Sequence, residues 1–275
     1  MSSVVLLGLG AIFWHMRGHE KSIVIVTASY NNKDYYIRNL DSIFAQNYHN
    51  YRLIYVDDCS TDDTYTLVKN YIEQAGQIDR VTLIRTTTNK GGLKNIYDAV
   101  HMCNDDDIIV TCDGDDWFAH NDVLARINKE YANPETWMTY GQFVFFPTPK
   151  PGFCAQLPAT AHKHNNYRHF NFVASHPRTF YAWLFKQIHA EDLMYGGEFF
   201  KVTWDQAMMY PMLEMAGAHA HFIPDVLYVY NQGNPLCDGR LRLQHVIACE
   251  RYIKSKQPYA RLNSSVPSLK LERIT

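Results

Sequence analysis

The chain predicts an α/β fold with a mostly parallel central sheet flanked by helices, and three observations lead there. Residues 23–27, 53–57, 81–85 and 108–112 are short runs rich in β-branched residues, spaced nearly 30 residues apart, as strand–helix–strand units require. Apolar residues recur at helical spacing between these runs. Polar clusters follow the first, second and fourth runs, the places where an open parallel sheet receives its ligands.

Taken in order, the first strand leads to a helix whose Tyr36, Ile37, Leu40, Ile43 and Phe44 share one face, with Asp34 as its expected cap. The second strand leads to a helix carrying Thr64, Leu67, Val68, Tyr71 and Ile72, with Ser60 or Thr61 as cap. Leu93, Ile96 and Val100 define a third helix over residues 92–102, between the third and fourth strands. Right-handed crossovers make this a doubly wound arrangement. Beyond it the alternation stops. Residues 121–131 read as a helix and 137–146 as an aromatic strand, followed by a loop punctuated by Pro147, Pro149, Pro151 and Pro158. Helices are expected at 179–188, 205–215 and 241–255, a strand at 226–230, and a peripheral tail after Lys256.

A length of 275 residues suits one large domain with a substantial core. Hydrophobic residues make up 47% and charged residues 20%, ordinary globular usage that argues against a disordered, collagen-like or multi-span membrane chain. Twenty-six Lys and Arg against 28 Asp and Glu leave a net charge of -2, so no overall basic field collects nucleic acid. The six cysteines form no C-x-x-C pair, which fits free thiols in a reducing, cytoplasmic compartment. Residues 4–14 are apolar but too short to span a bilayer as a helix. They read as a leader or anchor remnant, or as an ordinary docked helix, and are the one route to association with the cytoplasmic face of a membrane. The Gly8-x-Gly10 pair within them lacks the third glycine of a dinucleotide fingerprint, because Phe13 stands there.

Chemistry concentrates at the strand ends. Thr27, Ser29 and Tyr30 close the first strand, and Asp57 and Asp58 close the second. An aromatic ring can stack on a base there while a carboxylate accepts from a base N–H; the plain alternative is that Asp57, Asp58 and Ser60 cap the next helix. The fourth strand runs into Asp113-Gly114-Asp115-Asp116. Three carboxylates within four residues repel one another unless a cation sits among them, and hard oxygen ligands suit Mg²⁺ or Mn²⁺. Asp113 and Asp115, two apart on an extended backbone, are the candidate ligands, and Gly114 permits the tight turn. An acidic turn that merely caps the following helix is the alternative.

The residues 27–31, 56–62, Asn89-x-Gly91-Gly92-x-x-Asn95 and 113–116, in this order, resemble the GT-A domain of glycosyltransferase family 2. Ser175-His176-x-Arg178-Thr179-Phe180 and Trp204-Asp205-Gln206-Ala207 resemble a subgroup of it, which extends the likeness to about Asn231. The resemblance implies a GT-A, Rossmann-like sheet with a smaller mixed acceptor-side region. Residues 1–20 are then the leader or docked helix, 21–118 the nucleotide-sugar half, 119–235 the acceptor-binding and catalytic half, and 236–275 a C-terminal helix and tail.

It implies an inverting, metal-dependent enzyme that moves a sugar from a nucleoside diphosphate donor, UDP in many relatives, to a hydroxyl of a glycan, lipid-linked or protein acceptor. Thr27, Ser29, Tyr30, Asp57 and Asp58 match donor positions, and Asp113 and Asp115 match the Asp-x-Asp motif with Gly114 between them. Lys94 stands where many members carry Arg, and it or Arg178 would face the diphosphate. Asp205 matches the general base, with Asp192 of the Glu191-Asp192 pair as its rival. Glu214, nine residues beyond Asp205, would face the opposite side of a continuous helix. Two other readings stay open: a nucleotidyltransferase that makes a nucleotide sugar, and a non-catalytic carbohydrate-binding protein of the same fold.

Overall fold

A computed structural model describes residues 20–235 and 243–264. The apolar start with Gly8 and Gly10 lies outside the described residues, as do Cys237 and the first residues of the expected C-terminal helix.

The main sheet contains β1 (Ile23–Ser29), β2 (Tyr51–Asp57), β3 (Val81–Arg85), β4 (Ile108–Thr111), β5 (Trp117–Phe118), β6 (Met138–Phe146), β7 (Arg178–Tyr181) and β10 (Ala220–Asn231), in the order β3-β2-β1-β4-β7-β6-β10-β5. β8 (Met194–Tyr195) and β9 (Glu198–Phe199) form a separate hairpin. β3, β2, β1 and β4 pair in parallel, as do β6 and β10. β7 runs antiparallel to both β4 and β6, and β5 runs antiparallel to β10. The C-terminal ends of β1, β2, β4, β6 and β10 therefore share one edge of the sheet, and the functional residues gather there.

Helices cover both faces because both faces of the strands are apolar. Val24, Val26, Ile54 and Val56 pack against α3 (Gly92–His101), α6 (Ala182–Lys186) and α7 (Trp204–Ala216). Ile23, Ile25 and Leu53 pack against α1 (Tyr36–Phe44), α2 (Thr64–Gln74) and α4 (Val123–Tyr131). α5 (Ala159–His164) follows the proline-rich loop, and α8 (Leu243–Ser255) lies near the C-terminus. Among the described residues no helix is long and apolar enough to cross a membrane.

Three local expectations are corrected. Residues 179–188 are not one helix, since Arg178–Tyr181 form β7 and only Ala182–Lys186 are helical. The edges of β4 and β6 both need a partner there, and the Thr179 hydroxyl meets those of Thr139 at 2.6 Å and Tyr131 at 2.8 Å, contacts available only from a strand. Tertiary pairing outweighs the helical period. Asp34 does not cap α1, which is entered through a turn in which the Tyr35 and Tyr36 amides donate to the Asn32 carbonyl at 2.9 and 3.1 Å. Ser60 and Thr61 do not cap α2 either: Asp62 accepts from the Thr64 amide at 3.0 Å, while Ser60 Oγ accepts from the Asn31 amide at 2.9 Å and the Thr61 amide donates to Asn31 Oδ1 at 2.9 Å. Those bonds tie the end of β1 to the end of β2.

The described part of the tail after Lys256, residues 257–264, runs along the surface but is anchored to the body. Arg168 donates from Nε and Nη2 to the two Glu214 oxygens of α7 at 2.5 and 2.8 Å, and from Nη1 to the Ile253 carbonyl of α8 at 2.6 Å. The Tyr259 amide donates to Glu214 at 3.0 Å and the Leu262 amide to the Met215 carbonyl at 2.9 Å. Burial raises the Glu214 carboxyl, and Arg168 opposes that rise. Pro211 lies within α7 without ending it. Glu214→Ala, which strands a buried guanidinium, is expected to cost about 3–5 kcal/mol, whereas Glu214→Leu combined with Arg168→Met should recover most of that loss. Denaturant melts of the two variants check this.

Candidate active site

The acidic turn begins where β4 ends. The Gly114 amide donates to the Ala28 carbonyl at 3.2 Å, so the turn lies against the end of β1. A Cβ on residue 114 would fall 2.6 Å from Ser29 Cβ and 2.8 Å from Asn32 Nδ2, which leaves room only for glycine. From below, the buried Asn39 of α1 donates from Nδ2 to the carbonyls of Asp113 at 3.0 Å and Asp116 at 2.8 Å, fixing both ends of the turn.

The three carboxylates then diverge in environment. Asp113 Oδ2 accepts from Arg178 Nη2 at 3.2 Å and lies 3.4 Å from His176 Nε2. Burial alone would raise its carboxyl, but Arg178 holds it below the usual range. Asp116 is buried, accepting from the Tyr228 hydroxyl at 2.8 Å and the Asn231 amide at 2.7 Å. Burial, with Asp115 and Asp113 beside it, pushes this carboxyl well above the ordinary value. Asp115 accepts from Asn234 Nδ2 at 2.6 Å.

A set of possible metal ligands forms here, and it differs from the expected pair. Single ligand atoms of Asp113, Asp116 and His176 lie within 4.8 Å of one another. Arg178 Nη2 approaches His176 Nε2 at 2.6 Å and can only donate, so Nε2 is the acceptor and the imidazole proton sits on Nδ1, facing Ser175 Oγ at 2.9 Å. Burial and Arg178 push His176 down to about 4, which keeps the ring neutral, with its Nε2 lone pair taken by Arg178. The carboxylates of this cluster are hard oxygen ligands of the kind that suit Mn²⁺ or Mg²⁺.

Arg178 joins this turn to Asp205. Its guanidinium is buried, lies 4.5 Å over the Trp204 ring, and stays protonated despite burial because Asp113 and Asp205 both favour its charge. Asp205 opens α7 and accepts its neighbour Gln206's amide at 2.9 Å. Burial raises its carboxyl; Arg178 opposes the shift and Asp113 reinforces it. The rival Asp192 is engaged elsewhere, with the Tyr259 hydroxyl at 2.6 Å and Lys256 Nζ at 2.9 Å. Glu214 points away into its pair with Arg168, as the helical phase requires.

On the other side, Tyr30 is exposed at the end of β1 and Ser29 lies beside Gly114, level with its partner Asp57 at the end of β2; Thr27 and Asp57 are fully buried. Asp57 accepts from the Ser60 amide at 3.2 Å and lies 3.6 Å from Arg85 Nε. Asp58 Oδ1 accepts the Lys90 amide at 2.8 Å and Oδ2 the Gly91 amide at 2.7 Å, which orders the loop before α3. Lys94 pairs with Asp98 on the next turn of α3.

The sequence reading did not single out His176, Asp116, Asn39 or Tyr228 for these roles. His176 lay within the Ser175–Phe180 likeness and Asp116 within the acidic run, so both had a signal; Asn39 and Tyr228 had none, because their partners are distant in sequence. Trp183 packs in the core against Trp137, with ring centroids 5.2 Å apart. His219 stacks on Trp137 in a 3₁₀ turn, and His221 Nδ1 meets Thr136 Oγ1 at 3.1 Å.

Comparison with known proteins agrees with this geometry. An uncharacterized glycosyltransferase of Haemophilus influenzae is 30% identical over 123 residues, 45% of this chain and 47% of that protein. The chain thus spans about half the length of this curated relative. Among solved structures, the mannosyltransferase PcManGT of Pyrobaculum calidifontis, in complex with GDP-Man and Mn²⁺, superposes with a TM-score of 0.60 at 17% identity, covering 91% of this chain and 72% of that one. S. aureus TarS 1–349 in complex with UDP-GlcNAc gives 0.57 at 14% identity, covering 86% and 68%. Both share the GT-A fold. The sequence pattern of glycosyl transferase family 2 matches residues 23–190, more than half of the chain, and the chain therefore belongs to that family.

Proposed function

We propose that the protein is an inverting glycosyltransferase that moves a sugar from a nucleoside diphosphate donor, with UDP as the first candidate, to a hydroxyl of a glycan, lipid-linked or protein acceptor. The observation that carries this reading is the shared guanidinium of Arg178, which couples the acidic turn electrostatically to a carboxylate at the start of α7. Binding of GDP-Man and UDP-GlcNAc by proteins of the same fold supports a nucleotide-sugar donor.

The donor base lies by Tyr30, which offers an exposed ring, and Asp58, whose Oδ2 keeps a lone pair beyond the Gly91 amide while Oδ1 already accepts from the Lys90 amide and the Thr86 hydroxyl. Ser29 borders the ribose, with Thr27 and Asp57 completing the donor side at the ends of β1 and β2. Asp113 and Asp115 would hold a divalent cation, Mn²⁺ or Mg²⁺, and Asp113 also belongs to the cluster with Asp116 and His176. Such an ion, when bound, neutralises charge on the diphosphate. Arg178 adds a fixed positive charge on the same side, with Lys94 farther along α3. Asp205 takes the proton of the acceptor hydroxyl as its oxygen attacks the anomeric carbon, and burial suits it to that task by raising its basicity. The five described cysteines are all free thiols, in keeping with a reducing compartment.

Incubation with a panel of nucleotide sugars should release nucleoside diphosphate in a reaction that stops in excess chelator and resumes with Mn²⁺ or Mg²⁺. Pyrophosphate release would instead identify a nucleotidyltransferase, and full activity in chelator would remove the metal. Asp205→Asn should lower turnover by roughly 10² to 10⁴ fold with nucleotide affinity nearly intact, because Asn keeps the shape but accepts no proton. Asp192→Asn, measured beside it, should turn over at close to the wild-type rate; the opposite pattern would move the base.

A further inference from the structure

Between the donor side and the base side, one lysine makes a contact that the catalytic reading does not use. Lys201 lies in the segment joining β9 to α7, four residues before Asp205, yet its Nζ donates to the Lys90 carbonyl at 2.7 Å. Its stem lies across Gly91: a Cβ at that position would fall 2.8 Å from Lys201 Cδ. Gly91 has a φ of 85°, so both its conformation and its missing side chain are needed for the lysine to lie there. The same peptide is gripped from the other side, where Asp58 accepts the Lys90 and Gly91 amides. Next to it, a Cβ on Gly92 would sit 3.7 Å from Trp204 Nε1, and Trp204 carries Arg178 on its ring.

We infer that Lys201 is a positioning residue for the donor, and this rests on the proposed function. It fixes the carbonyl of the 90–91 peptide while Asp58 fixes its amides, so the loop that opens α3 and the orientation of the Asp58 carboxylate are set jointly by the two halves. The ammonium is an effective anchor because a charged donor on a partly buried carbonyl makes a stronger hydrogen bond than a neutral one. Asp58 thereby keeps the geometry in which its remaining lone pair faces a base.

The test uses the full chain with Lys201→Met, which keeps the stem and removes the donor, and Lys201→Arg, which keeps a donor. Hydrogen exchange reads the Lys90 and Gly91 amides, and calorimetry with UDP, GDP and CDP in Mn²⁺ reads nucleotide affinity, both well below the melting temperature. Lys201→Met should speed exchange of the two amides and weaken the nucleotide that wild type prefers, each by about 10- to 100-fold, the worth of one charge-assisted hydrogen bond. Lys201→Arg should restore both to within about threefold. Unchanged exchange, or faster exchange with unchanged affinity, would overturn the inference while leaving the proposed function standing. An Arg variant as weak as the Met variant would trace the effect to the stem and overturn the role of the charge. If wild type binds none of the three nucleotides, the proposed function falls and this inference with it.

Discussion

The buried guanidinium of Arg178 is the interaction on which the rest of the site depends. Three carboxylates stand within four residues at the end of β4, and a further one, Asp205, starts α7. Only Arg178 among these groups brings a fixed positive charge, and it bonds Asp113 and His176 while lying on Trp204. A cation buried this deeply is tolerable only when paired. Arg178 can occupy its place because β7 runs antiparallel between β4 and β6, which carries the guanidinium back to the edge where β4 ends. The strand that interrupts the parallel order is thus the one that supplies the counter-charge.

The backbone around this charge is held by close approaches rather than by side-chain bulk. Gly114 lets the acidic turn touch the end of β1, and Gly91 lets Lys201 lie across the loop before α3. Asn39 binds two carbonyls of the turn from beneath, and Tyr228 donates to Asp116 while accepting the Asp113 amide at 3.0 Å. These contacts fix the direction of the carboxylates before any ligand arrives, and such preorganisation is what electrostatic catalysis requires.

α7 carries that order away from the acidic turn. Its first turn presents Asp205, and its last turns are clamped from behind by Arg168, Tyr259 and Leu262. The two acidic residues of the helix therefore divide their work: Glu214 anchors it within the protein while Asp205 faces Arg178. Asp192, chemically equivalent in isolation, is held by Lys256 and Tyr259 and so helps to bind the C-terminal segment.

The sequence by itself determined the four parallel strands, the helices between them, the strand-end positions of Ser29, Tyr30, Asp58 and Asp113, and the place of Asp205 at the start of a helix. Those features follow from local periodicity and from the geometry of a parallel sheet, both of which act over a few residues. It also showed the phase difference that separates Asp205 from Glu214. Only the tertiary structure decided that residues 178–181 form a strand, because their partners on β4 and β6 lie dozens of residues away. Likewise, His176 and Asp116 come to lie with Asp113 in one cluster through packing between distant segments. No local pattern encodes such distances: whether a carboxylate becomes a ligand, a base or an anchor depends on which charges the fold brings within a few ångströms of it.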